Sequence, residues 1–190
     1  MKKMIAHLCD KVEDLEQFIR QDWFKTEEGE LFIRKTIDAA IDVQSEEKQE
    51  LFVNVLINGP RSNITIEQKT KFVDMLRQLS LASIQILAEM HTMFVSRTRR
   101  PGKQSDAGEG IPHINPRRIA EDLSGKYAPY LTLSAIKELE SHGLFSNIGE
   151  WHKVGDKYRP GSGFSTDLAY TDFSASFAEF ISSDQTKSLN

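Results

Sequence analysis

The sequence predicts a mainly α protein, with an N-terminal antiparallel helical bundle over residues 1–96 and a small C-terminal α+β subdomain over residues 117–182. Three observations carry this reading. Between Thr65 and Phe94, Phe72, Leu79, Ile86 and Met93 fall seven apart, and Leu76, Ser83 and Met90 form a second seam between them. An apolar repeat of about 3.5 residues marks a helix face packed along others. Ahead of it lie three shorter stretches with apolar residues three and four apart, joined by short connections that favour an antiparallel bundle. Beyond Pro116 this periodicity gives way to short strand-like runs set between glycines.

In chain order, Met4, Ile5, Leu8, Val12, Leu15, Phe18 and Ile19 describe an amphipathic first helix ending near Arg20. Trp23 and Phe24 then close one end of the bundle. Thr26 is placed to cap a second helix, with Glu27 and Glu28 near the positive end of its dipole. Its apolar stripe is Phe32, Ile33, Ile37, Ala40 and Ile41. Ser45 caps a third helix, with Glu46 and Glu47 in its first turn and the core run LFVNVLI from Leu51 to Ile57; Gly59 and Pro60 end it. Thr65 followed by Gln68 is a capping box. The helix it opens is expected to run unbroken to about Phe94. A second apolar set (Val73, Ile84, Leu87, Phe94) lies off its main seam, so from Leu81 onward it is apolar over more than one face. Such a helix belongs at the centre of a bundle or at a dimer contact. Ile84, Leu87 and Phe94 are therefore the candidate protein-interaction residues.

Residues 97–116 contain Pro101, Gly102, Gly108 and Gly110 with almost no apolar periodicity, and read as a flexible loop or linker. After it, Ile119–Leu123 supply a turn or two of helix. The phrase YLTLSAIKELESHGLF carries a helix with Leu133, Ile136 and Leu139 on one side and Gly143 as its stop. Leu144 and Phe145 begin a strand. Trp151–Val154 and Lys157–Arg159 form a hairpin about a Gly155-Asp156 type II′ turn. Asp167–Tyr170 return as a strand, and Thr171 caps a last helix burying Phe173, Phe177, Phe180 and Ile181. Residues 183–190 are a polar tail, and no internal repeat is present.

The segment LSAIKELESHGLF resembles the LxxLxxxGLI-type join between second helix and first wing strand in winged-helix regulators. AYTDFSASFAEFI resembles the LTxxGxxF ending of such domains, with Ser174 or Ala175 where glycine normally stands. A helical bundle followed by this winged-helix-like subdomain is also similar to bacterial abortive-infection alpha proteins. The resemblance implies a bacterial regulatory or phage-defence role.

Composition narrows the chemistry. A net charge of −4 gives no global attraction to nucleic acid or to an anionic membrane. The charged fraction of 27% and hydrophobic fraction of 39% are those of an ordinary folded protein. The lone Cys9 allows no intramolecular disulfide, which fits a reducing cytosol. No run approaches the roughly 18 apolar residues of a membrane span, and the short apolar stretch before Asp10 is no signal-peptide core. A cytoplasmic location without membrane contact is expected. His7, His91, His113, His142 and His152 are scattered, and none pairs at a metal-ligand spacing. No GxxxxGK[ST], GxGxxG or GxSxG occurs. No catalytic residue, metal or cofactor is therefore expected.

Two readings of function remain. The first is a non-enzymatic interaction or regulatory protein, a homo-oligomer or a partner of another protein, joined through Ile84, Leu87 and Phe94. The second is a nucleic-acid binder. Its hairpin interleaves Lys153, Lys157 and Arg159 with Trp151 and Tyr158, a mixture of charge and stacking surface that nucleic acid can use. Arg99, Arg100 and Lys103 in the loop add to it. In the alternative reading the hairpin aromatics merely cover a core edge and the loop charges are solvated. Against base readout, Lys137 on the LSAIKELESHG helix is outnumbered by Glu138 and Glu140.

Overall fold

The computed structural model describes residues 22–60, 62–98, 113–147, 152–154, 157–159 and 168–182. The first predicted helix, the 99–112 segment, Gly155-Asp156 and the polar tail lie outside these. The described chain is mainly helical. A 3-10 turn (Asp22–Lys25) precedes α1 (Glu27–Ile41), α2 (Glu46–Asn58), α3 (Ile66–Gln78) and α4 (Leu81–Thr98). Next come β1 (His113–Ile114), α5 (Pro116–Asp122), α6 (Pro129–Ser141), β2 (Phe145–Asn147), β3 (His152–Val154), β4 (Lys157–Arg159), β5 (Leu168–Tyr170) and α7 (Asp172–Ile181). The chain divides into two compact units. One comprises residues 1–81 with 179–190, the other residues 82–178.

In the first unit α1 packs on both α2 and α3. The helix starts are those expected from sequence. Thr26 Oγ1 accepts from Gly29 N at 3.0 Å and Ser45 Oγ from Lys48 N at 3.3 Å. At α3 both halves of the Thr65–Gln68 capping box form. Thr26 also donates to the Trp23 carbonyl at 2.7 Å, which ties the 3-10 turn to α1. That fold-back leaves no room above Gly29, where a Cβ would lie 2.1 Å from the Trp23 carbonyl oxygen. The core holds Phe32, Phe52, Phe72, Leu76 and Leu79, with Phe180 and Ile181 from the end of α7. Along α2 every residue from Phe52 to Asn58 is buried, so this half of the helix is enclosed on all sides. Lys35 meets Asp74 at 2.6 Å across α1 and α3. Lys48 Nζ donates to the Arg77 carbonyl at 2.7 Å, a cation at the negative end of α3.

The second unit contains a three-stranded antiparallel sheet in the order β1-β5-β2. Leu168 in the central strand is in register with Ile114 on one side and Asn147 on the other. β3 and β4 form a separate two-stranded hairpin. α5 and α6 pack together, and α6 leads directly into β2 through Gly143, whose φ of 75° suits glycine at a helix stop. Thr171 caps α7, accepting from Ser174 N at 3.2 Å, and the buried Ser174 hydroxyl donates to the Leu144 carbonyl. Ile84, Ile86, Leu87, Met90, Ile136, Leu139, Leu144, Phe145 and Phe177 are buried here.

Several expectations need correction. The helix opened at Thr65 is not continuous to Phe94. Leu79 is extended (φ −62°, ψ 143°) and ends α3, and α4 begins at Leu81 immediately after Ser80, a residue type suited to starting a helix. The seven-residue spacing carries across this break because Leu79 and Ile86 are each fully buried, in different units. The two compact units accordingly meet in the chain at Leu81–Ala82, and again at Ala178–Glu179. Leu133 is 40% exposed and does not share the inward side of α6 with Ile136 and Leu139; Thr132 and Ala135 do. Phe173 is only partly buried, unlike Phe177 and Phe180.

Candidate interaction surfaces

The residues chosen from sequence for a protein contact are inside the fold. Ile84 is 3% exposed, Leu87 fully buried and Phe94 8% exposed. Phe94 stacks at 4.8 Å on the ring of Tyr170, whose hydroxyl lies 2.8 Å from His91 Nδ1. The apolar residues of α4 singled out for a contact are thus buried, Phe94 against Tyr170 of β5. They are not available as a dimer face.

The large apolar side chains that stay exposed among the described residues are Leu31 and Ile41 on α1 and Tyr130 and Leu133 on α6. Tyr130 is 76% exposed, and the two α6 residues stand three apart, on one side of the helix. Ser134, Lys137 and Ser141 share that exposed side. Lys137 meets Glu140 at 2.9 Å, and Glu138 accepts from the buried Ser83 hydroxyl at 2.6 Å. The outward side of α6 is therefore apolar at its start and close to neutral beyond it.

The basic residues divide differently. In the hairpin Lys153 is in register with Tyr158, Arg159 with His152 and Lys157 with Val154. Trp151, Arg99, Arg100 and Lys103 lie outside the described residues. Arg117 and Arg118, however, are exposed in the first turn of α5, which Asn115 caps by accepting from Arg118 N at 3.2 Å. Neither forms an ion pair with a described residue. Cations at this end of a helix oppose its dipole.

On the first unit, an open groove of about 340 Å³ runs between α1 and α3. Arg34, Lys35 and Arg77 line it together with Asp38, Asp74 and the exposed Leu31. Its charges nearly balance, since Lys35 is held by Asp74 and Arg77 by Asp42. Nearby, Lys69 is 5% exposed with Nζ 4.7 Å from the Trp23 ring centroid. Burial pushes its pKa below the usual lysine value, against the opposing pull of Glu28. No sequence pattern marks this contact, because the 3-10 turn that brings Trp23 over Lys69 has no periodicity.

Among the described residues no group of three or more His, Cys, Asp or Glu is placed to hold a metal ion. Nor is any described helix long and apolar enough to cross a membrane. The described residues thus form a mainly helical protein with small antiparallel sheets, whose exposed features include the apolar residues Tyr130 and Leu133 and the cations Arg117 and Arg118. No family model, curated protein or solved structure matches the chain.

Proposed function

We propose that the protein is a non-enzymatic regulatory protein that acts by contact with a second protein or a second copy of itself. In this reading residues 1–81 form a helical bundle and residues 82–178 a winged-helix-like module. The strand order β1-β5-β2 supports the latter. The order of helix, short strand, two helices, strand and central returning strand supports a winged-helix reading, in which α6 takes the recognition position. The observation that carries the functional reading is the outward side of α6. Where a DNA reader presents Arg, Lys, Asn or Gln, this helix presents Tyr130, Leu133 and a lysine neutralised by Glu140. Exposed aromatic and aliphatic anchors are the residues that dominate protein contacts. The bacterial phage-defence setting of the abortive-infection proteins is the context this reading gives.

Light scattering coupled to size-exclusion chromatography tests it. The protein should show a concentration-dependent dimer that survives high salt, and Leu133→Asp should leave a folded monomer. A wild-type chain that stays monomeric at high micromolar concentration, or a Leu133→Asp variant that elutes as wild type, would remove self-association through α6.

A second reading, nucleic-acid binding, is favoured by Arg117 and Arg118 at the start of α5 and by the basic hairpin. On this reading Arg117→Glu with Arg118→Glu weakens binding to short duplex DNA or RNA. Wild-type affinity then falls steeply with salt as counterions are released. Absence of salt-dependent binding would leave the protein-contact reading alone.

A further inference from the structure

The last turn of α7, from Glu179 onward, belongs to the first unit and is held there by main-chain hydrogen bonds and by the buried Phe180 and Ile181. Asn54 and Asn58 lie one helical turn apart on α2 and are 6% and 2% exposed. Asn54 Nδ2 donates to the Ile181 carbonyl at 3.0 Å. Asn58 Nδ2 donates to the carbonyls of Phe180 at 2.8 Å and Ser182 at 3.0 Å. The last carbonyls of a helix have no partner inside it, so two amide donors aimed at them recognise a helix end as such. One aromatic ring adds an anchor, since Phe180 packs 5.6 Å from the ring of Phe72 and 6.2 Å from that of Phe32. Every residue of this slot precedes Leu81, whereas its occupant comes 122 to 127 positions after the asparagines that hold it.

We infer that the slot formed by Phe32, Asn54, Asn58 and Phe72 is a receptor for a helix C-terminus. The chain's own α7 occupies it, and the α7 of a second copy takes the same place when the first is displaced. The second copy is the occupant because its terminal turn is identical, so every carbonyl and ring contact is reproduced. Exchange of an identical element between protomers is domain swapping, and it requires no new interface. In the intact chain the tethered end competes intramolecularly, which keeps the slot closed to α7 in trans. The inference uses no residue of α6 and stands apart from the contact proposed there.

The test is a fluorescein-labelled peptide of residues 171–182 added to the full chain, followed by fluorescence anisotropy. The wild-type chain should bind it weakly. Phe180→Ala, which loosens the tethered end, should bind it at least about tenfold more tightly, and adding Asn58→Ala should abolish that gain. A peptide carrying F180A should not bind. If the Phe180→Ala chain does not fold, excess wild-type peptide should restore its cooperative melting. A folded Phe180→Ala chain that binds no better than wild type would overturn the inference. So would an unfolded one that the peptide leaves unfolded.

Discussion

The side-chain amide of Asn58 lies 2.8 Å from the carbonyl oxygen of Phe180, so that a polar group in the buried half of α2 closes the end of another helix. The same nitrogen reaches Ser182, which uses both of its hydrogens. Asn58→Ala leaves two inward-facing carbonyls without this donor and is expected to cost about 1–3 kcal/mol, read by urea unfolding. Asn58→Asp sets an acceptor against acceptors and should cost more at pH 7. Part of that extra loss should return as the pH falls and the carboxyl becomes a donor. An aspartate variant as stable as wild type at pH 7 would show that the contact contributes nothing.

Leu87 and Leu133 separate packing from surface. Leu87 is fully buried, and Leu87→Asp places a charge in a core, so it should unfold the second unit rather than dissociate an oligomer. Leu133→Asp changes an exposed side chain and should alter stability by no more than about 0.5 kcal/mol. Circular dichroism with thermal melting distinguishes them; a stable, helical Leu87→Asp monomer would contradict the buried position.

Lys69 gives the first unit a pH dependence of defined sign. Burial lowers its pKa in the folded chain below 10.5, while Glu28 works in the opposite direction. The unfolded chain therefore holds the proton more tightly, and stability rises with pH between the folded pKa and the ordinary lysine value. Lys69→Met removes this titration. Relative to the variant, the wild-type chain should gain stability from pH 7 to pH 10 in paired urea titrations. A gap that does not change with pH would show that folding leaves the lysine as it is in water.

Gly29 is sterically required. A Cβ there would lie 2.1 Å from the Trp23 carbonyl oxygen, a backbone atom fixed by the Thr26 hydroxyl. Gly29→Ala should lower stability by about 1–3 kcal/mol in chemical denaturation, although alanine is the better helix former. A gain instead would mean that the 3-10 turn moves aside freely.

Much of the helical framework was legible because its signals are local. Thr26, Ser45, Thr65 and Thr171 cap the helices they were expected to cap, and Gly143 ends the one before β2. What periodicity does not carry is the identity of the neighbour. Phe72, Leu79 and Ile86 kept their spacing across the break between α3 and α4 because each is buried, and nothing in that spacing says that they serve two different cores. For the same reason the wide apolar face at Ile84, Leu87 and Phe94 read as a dimer contact, although all three are buried and Phe94 packs on Tyr170 within the chain. Asn54 and Asn58 interrupt an apolar run, and their partners lie more than a hundred residues away, beyond the reach of any local pattern. The exposed pair Tyr130 and Leu133 was equally hidden, since a leucine at helical spacing reads as core until the packing of α6 is seen.

The dependence of Asn58 on Phe180 also sets an order of events during synthesis. At about 5–20 residues per second, the ribosome needs roughly 6–24 s to travel the 122 positions from Asn58 to Phe180. Throughout that interval the earliest-made helices exist with two amide donors and a Phe32–Phe72 surface awaiting their partner. The nascent first unit is thus an open acceptor while neighbouring ribosomes on the same message release finished chains. On the inference drawn above, that interval is when the slot stands open to the α7 of a finished copy.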